Sequence, residues 1–132
     1  MTEHYHAVIW IDHREARVFH FNAHDADEHV VHPHDPTVHL HVHANQVGSG
    51  HAPVDQKFLH QVTDAVAKSK AILITGPASA KHELMKHMEH HDPQIAKCVA
   101  GVEAIDHPTN GELIAHARKF FRAADKMTPQ KA

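Results

Sequence analysis

The chain has 132 residues, 42% of them hydrophobic and 22% charged, which suits one soluble globular domain with a proper core. Its formal charge of -3 with histidine neutral argues against a strongly nucleic-acid-binding surface at pH 7. Yet its 19 histidines would add about nine positive charges near pH 6.5 and reverse the sign.

Cys98 stands alone, so no internal disulfide can form. The N-terminus lacks a leader pattern and no run reaches membrane-spanning length. A soluble cytoplasmic protein without a membrane partner is the expectation.

Residues 4–12 read as a central strand. Tyr5, Ala7, Ile9 and Ile11 share one face, with Val8 and Trp10 on the other. A short connection, 13–15, leads to a second strand over 16–22, making a hairpin. Residues 25–28 read as a polar turn, and Val30 and Val31 as a third strand ended by Pro33 and Pro36. Residues 37–43 alternate Val38, Leu40 and Val42 against His39, His41 and His43, one face buried and one wet. A single bent edge strand accommodates both segments. Residues 44–52 form a loop in which Gly48 and Gly50 free the backbone.

Pro53 opens a helix reaching about Ser69, with Val54, Phe58, Val62 and Val66 every four residues and Leu59 and Ala65 widening the stripe. Next comes an unbroken apolar run, Ala71, Ile72, Leu73 and Ile74, ending at Thr75. Without alternation it predicts a strand buried on both faces, as in a parallel sheet. Gly76 permits a sharp exit and Pro77 suits a first helical position, so the strand should turn directly into a helix over 77–91. Leu84, Met85 and Met88 point inward, while Glu83, His87, His90 and His91 read as a solvated face. Asp92-Pro93 interrupts, 94–98 adds a turn, and 99–105 is a further strand. Thr109 and Glu112 fit a capping box before Leu113, Ile114, Ala117, Phe120 and Phe121. Residues 123–132 read as a tail.

Antiparallel strands followed by helix–strand–helix–strand–helix predict an α/β, ribonuclease-H-like single domain over 1–132. The sheet is mixed, antiparallel strands first and then two parallel ones, with three main helices.

Short motifs have plainer readings. Gly76–Lys81 sits where a phosphate loop would, but the second glycine is missing and Lys81 comes one position early; a tight turn and helix start suffice, although a helix N-terminus attracts anions. His82 and His87 diverge by about 140° around a helix, which rules out the zinc-protease face. His39, His41 and His43, with His4 and His6, have spacing that could hold Zn²⁺ or Ni²⁺; a wet sheet face explains them, and no metal or other cofactor is expected. A nuclease of this fold needs several acids on Mg²⁺. Asp12 is placed for it, but Thr75 replaces a carboxylate and Asp106 lies beyond its strand, so the set is incomplete.

Four segments carry a resemblance: AVIWIDHREARVFHF, ANQVGSGHAPVD, ILITGPASAK and VEAIDHPTNGELIAHARKFFRAAD. From about Tyr5 to Asp125 the chain resembles small bacterial proteins labelled "translational machinery protein". That family is similar to the middle domain of the archaeal and eukaryotic polypeptide release factor and of Pelota. The resemblance implies a ribonuclease-H-like fold with a strand hairpin, a glycine loop, a long helix and a glycine-proline turn. In release factors the glycine loop carries Gly-Gly-Gln and helps water attack the peptidyl-tRNA ester in the ribosome. Here it reads Gly48-Ser49-Gly50-His51, with Gln46 before the glycines.

The expectation is therefore a translation-related protein associated with the ribosome or tRNA, with no catalytic residue assigned. Its working surface would be Asn45, Gln46, Gly48, Ser49, Gly50 and His51. Lys81, Asp106 and His107 are candidate neighbours at the strand ends, and Lys119, Arg122 and Lys126 form a basic stripe suited to phosphate. One rival is a hydrolase of an RNA-linked ester using His51 or Gln46. Another is a histidine-based metal-binding or pH-responsive protein. The sequence implies no oligomeric state.

Overall fold

A computed structural model describes residues 6–22, 25–32 and 55–127. Among them five strands form one sheet: β1 (His6–Ile11), β2 (Ala16–Phe21), β3 (Ala26–Val31), β4 (Ala71–Gly76) and β5 (Val99–Ala104), in the order β3-β2-β1-β4-β5. The hairpin β1–β2 is antiparallel, with Val8 opposite Phe19, and β3 pairs antiparallel with β2. β4 and β5 continue the sheet in parallel, with Ile9 opposite Ile74 and Ile74 opposite Val102. The sheet is thus mixed, as expected, with β1 at its centre.

Among the described residues four helices cover it: α1 (Gln56–Ala65), α2 (Ala80–His91), the short α3 (Pro93–Ala96) and α4 (Asn110–Met127). Strand side chains alternate between faces, and this sorts the core into two layers. Ala7, Ile9, Ile11, Val18, Ile72 and Ile74 meet Phe58, Leu59 and Val62 of α1, Leu84 and Met88 of α2, and Ile95 of α3. On the other face Val8, Trp10, Phe19, Phe21 and Leu73 meet Leu113, Ala117 and Phe121 of α4. The unbroken run Ala71–Ile74 is explained by this double cover. None of the described helices is long and apolar enough to cross a membrane.

The capping box forms as expected: Thr109 N donates to Glu112 Oε1 at 2.9 Å, and Glu112 N to Thr109 Oγ1 at 3.1 Å.

Several boundaries differ from expectation. Residues 26–28, expected in a turn, belong to β3, whose side chains are exposed up to Val31. β3 borders β2 alone among the described strands and packs little there, so its polar residues fit a pairing that the backbone supplies. The described helix α1 begins at Gln56, with Asp55 accepting from Lys57 N at 3.0 Å, and ends at Ala65 rather than near Ser69.

The exit from β4 is also not direct. Gly76 still pairs with Ala104, so residues 77–79 make the bend and α2 starts at Ala80, not Pro77. Gly76 is required there: its φ is +156°, and a Cβ would lie 2.2 Å from the Ile11 carbonyl oxygen. At the other end, α4 continues to Met127 through part of the expected tail. The expected alternation at 37–43 and the loop 45–51 lie outside the described residues.

Candidate functional site

Because β1, β4 and β5 run parallel, their C-terminal ends emerge along one edge, where open α/β sheets bind ligands. Asp12 leaves β1 here, but its Oδ1 accepts from Arg14 N at 2.7 Å and Glu15 N at 2.9 Å. It closes the hairpin turn. Thr75, in the position the nuclease chemistry would give to an acid, donates its hydroxyl to the Ile9 carbonyl at 2.7 Å. Both side chains have structural tasks.

Asp106 and His107 are exposed just past β5, with His107 Nδ1 3.0 Å from Asp106 Oδ1. The segment is fixed from below. Trp10 Nε1 donates to the carbonyls of Asp106 at 2.8 Å and Ile105 at 3.2 Å. The His107 ring packs 5.1 Å from the Trp10 ring, and the Arg17 guanidinium lies 4.6 Å above it. Arg17 also donates to Asn110 Oδ1 at 2.7 Å and to the Pro108 carbonyl at 3.2 Å.

Lys81 reaches this same edge from α2, on the opposite face of the sheet from Trp10. It is buried, and its ammonium donates to the Ala78 carbonyl; it would have to leave that carbonyl to meet a ligand.

Lys119 and Arg122 are exposed on α4, three residues apart and so side by side. The adjoining Arg118 reaches the carbonyls of Asn22 and Asp25, beyond the end of β2 that pairs with the start of β1. The basic pair therefore sits toward the opposite edge from Asp106, roughly 15 Å along the helix from its first turn. Of the expected site residues, the structure gathers Lys81, Asp106 and His107 at one edge and separates Lys119 and Arg122 from them. Asn45, Gln46, Gly48, Ser49, Gly50 and His51 lie outside the described residues.

A second constellation occupies the seam between α1 and α2. His87, expected on a solvated face, is only 7% exposed. It points toward α1, where its Nδ1 lies 2.9 Å from Gln56 Oε1 and its ring 6.2 Å from the His60 ring. The His91 ring lies 4.5 Å from it. Burial, with His91 and His60 adding repulsion, holds the His87 pKa below its ordinary value, although Asp92 acts the other way. His60, His87 and Asp92 each offer one ligand atom, all within 4.8 Å of one another. Polarity alone sorts His87 onto the solvated face, but the packing of α1 on α2 decides its burial.

Neither a protein-family profile nor a curated protein sequence matches the chain. Solved structures do. Pelota of Archaeoglobus fulgidus superposes with a TM-score of 0.62 at 14% identity, covering 92% of this chain and 32% of that one. An archaeal translation termination factor, aRF1, gives 0.56 at 12% identity over 92% of this chain and 38% of its own. Dom34 of S. cerevisiae, a translation termination-like factor, gives 0.56 at 10% identity over 96% and 38%.

The chain shares the fold of a part of these proteins. It spans between 32% and 38% of their length.

The histidine–aspartate group has no signature in the sequence. His60 and His87 sit on different helices, and Asp92 follows the end of α2. Only the helix packing brings the three together.

Proposed function

We propose that this chain is a translation-related protein that associates with the ribosome without catalysing a reaction. In this reading it is a single cytoplasmic domain of the bacterial family that its motifs resemble, and the sheet order β3-β2-β1-β4-β5 is the ribonuclease-H-like arrangement. The observation that carries the reading is the superposition on Pelota over 92% of this chain, from a sequence whose motifs already pointed to that fold. Fold alone does not fix function, so the working surface is assigned on chemistry. Asn45, Gln46 and His51 can donate and accept hydrogen bonds to an RNA backbone or tRNA end. Gly48 and Gly50 let a ligand approach the backbone closely. Asp106 and His107 would extend that surface from the sheet edge.

The test is co-sedimentation of untagged protein with ribosomes at controlled salt. Association is expected for the wild type. The variant Gly48→Val/Gly50→Val should lose it while keeping its thermal stability. Retained binding would place the contact elsewhere, and unfolding would make the loop structural. Hydrolysis of peptidyl-tRNA by the wild type, lost on changing Gln46 or His51, would replace the non-catalytic reading with the hydrolase.

A further inference from the structure

His87 carries a buried nitrogen whose hydrogen-bonding capacity is unmet. Gln56 Oε1 can only accept, so the 2.9 Å contact to Nδ1 places the proton on Nδ1 and leaves Nε2 with a bare lone pair. Nε2 is buried and has no hydrogen-bond partner among the described residues. The Oδ2 of Asp92 shares that condition. Asp92 stands at the N-cap position of α3, yet its side chain makes no capping hydrogen bond. Two buried acceptors without a donor are costly to leave so, and acceptors cannot satisfy each other. A cation satisfies both.

The third ligand comes from α1. His60 is exposed, and its Nε2 lies 3.5 Å from Asp64 Oδ2. An outer carboxylate on one ring nitrogen is the usual support for a histidine that coordinates through the other. The hollow beside this group, about 690 Å³ and lined by Gln56, Lys57, His60, Gln61, His87 and His91, opens to solvent and gives an entry path.

We propose that His60, His87 and Asp92 form a binding site for a divalent transition-metal ion, best matched by Zn²⁺. Two imidazoles and one carboxylate are ligands that Zn²⁺ takes with three protein groups and a water in the fourth position. The donor set disfavours Ca²⁺ and Mg²⁺, which take oxygen ligands. Bonds of about 2.0–2.2 Å in tetrahedral array need ligand atoms about 3.4 Å apart. The three atoms lie within 4.8 Å of one another, so the side chains would draw together by about 1 Å on binding, and the exposed His60 is free to turn toward the other two. His87 and Asp92 would be the fixed part of the site.

The experiment uses chelator-treated, untagged, full-length protein titrated with Co²⁺ and then Zn²⁺. The wild type should bind one Co²⁺ per chain, with the visible absorbance of a tetrahedral site, and Zn²⁺ should displace it. His60→Ala, at an exposed position that the fold does not need, and Asp92→Asn should each weaken binding at least tenfold. A His39→Ala/His41→Ala variant should retain both the band and the affinity. Absence of the band, equal affinity and spectrum in the wild type and His60→Ala, or loss of the band in the His39/His41 variant would overturn the proposal.

Discussion

Trp10 Nε1 donates to the Asp106 carbonyl at 2.8 Å, tying the central strand to the segment beyond β5 across 96 positions of sequence. The ring is buried and carries Arg17 on one side and His107 beside it. One side chain thus anchors the sheet and holds the exposed pair Asp106–His107 in place.

Trp10→Phe keeps an aromatic ring but removes the donor shared by two carbonyls and leaves a gap. The lost hydrogen bonds and the cavity together should cost about 2–4 kcal/mol. Urea unfolding should show this as a lower midpoint at unchanged slope. A loss below about 0.5 kcal/mol would mean that the indole N–H is not what anchors the segment.

Two glycines should respond to alanine with opposite signs. At Gly76 the new Cβ would meet the Ile11 carbonyl oxygen at 2.2 Å, with φ at +156°. Backbone would have to move at the junction of β1 and β4, costing about 2 kcal/mol or more. Gly111 lies in the first turn of α4 with open space around it. Gly111→Ala should stabilise by up to about 1 kcal/mol. Thermal unfolding of both variants beside the wild type decides, and a tolerated Gly76→Ala would remove the steric argument.

Features set by neighbours along the chain are legible in the sequence. The run Ala71–Ile74 announces a strand covered on both faces, and Thr109 with Glu112 announces the start of α4. β3 is less legible, because residues 26–28 gain their strand from hydrogen bonds to β2 rather than from their own pattern. Proline preference puts the start of α2 at Pro77, but continued pairing of Gly76 with Ala104 pushes it to Ala80. The site residues are least legible. Lys81 reads as a candidate contact at the strand ends but lies buried against its own turn, and His87 reads as solvated but is covered by α1. Helix docking is a long-range outcome, and no local period encodes it.

His87→Phe separates a structural from a ligand role for the imidazole. In chelator the substitution removes a buried, unsatisfied nitrogen and keeps a flat ring. Stability should stay within about 1 kcal/mol of wild type or rise, since Gln56 is exposed and can turn to water. With Zn²⁺ at a hundred times its dissociation constant, the wild type should gain about 2.7 kcal/mol and the variant much less. A loss above about 2 kcal/mol in chelator would show that the bond to Gln56 holds the two helices together.

Lys119 and Arg122 offer a test of the proposed ribosome association. Both are exposed on α4, away from the edge that carries Asp106, so reversing their charge leaves that edge and the core untouched. Phosphate contacts release counterions, and each contact contributes about 0.7–0.9 to the slope of log affinity against log salt. If both residues touch rRNA or tRNA phosphates, Lys119→Glu/Arg122→Glu should reduce that slope by about 1.5–2 and weaken association at least tenfold at low salt. The loss should shrink as salt rises, because the contacts removed are the screened ones. Co-sedimentation at four or five salt concentrations measures both quantities. An unchanged slope would make the pair an ordinary solvated face and leave the sheet edge with the loop as the contact.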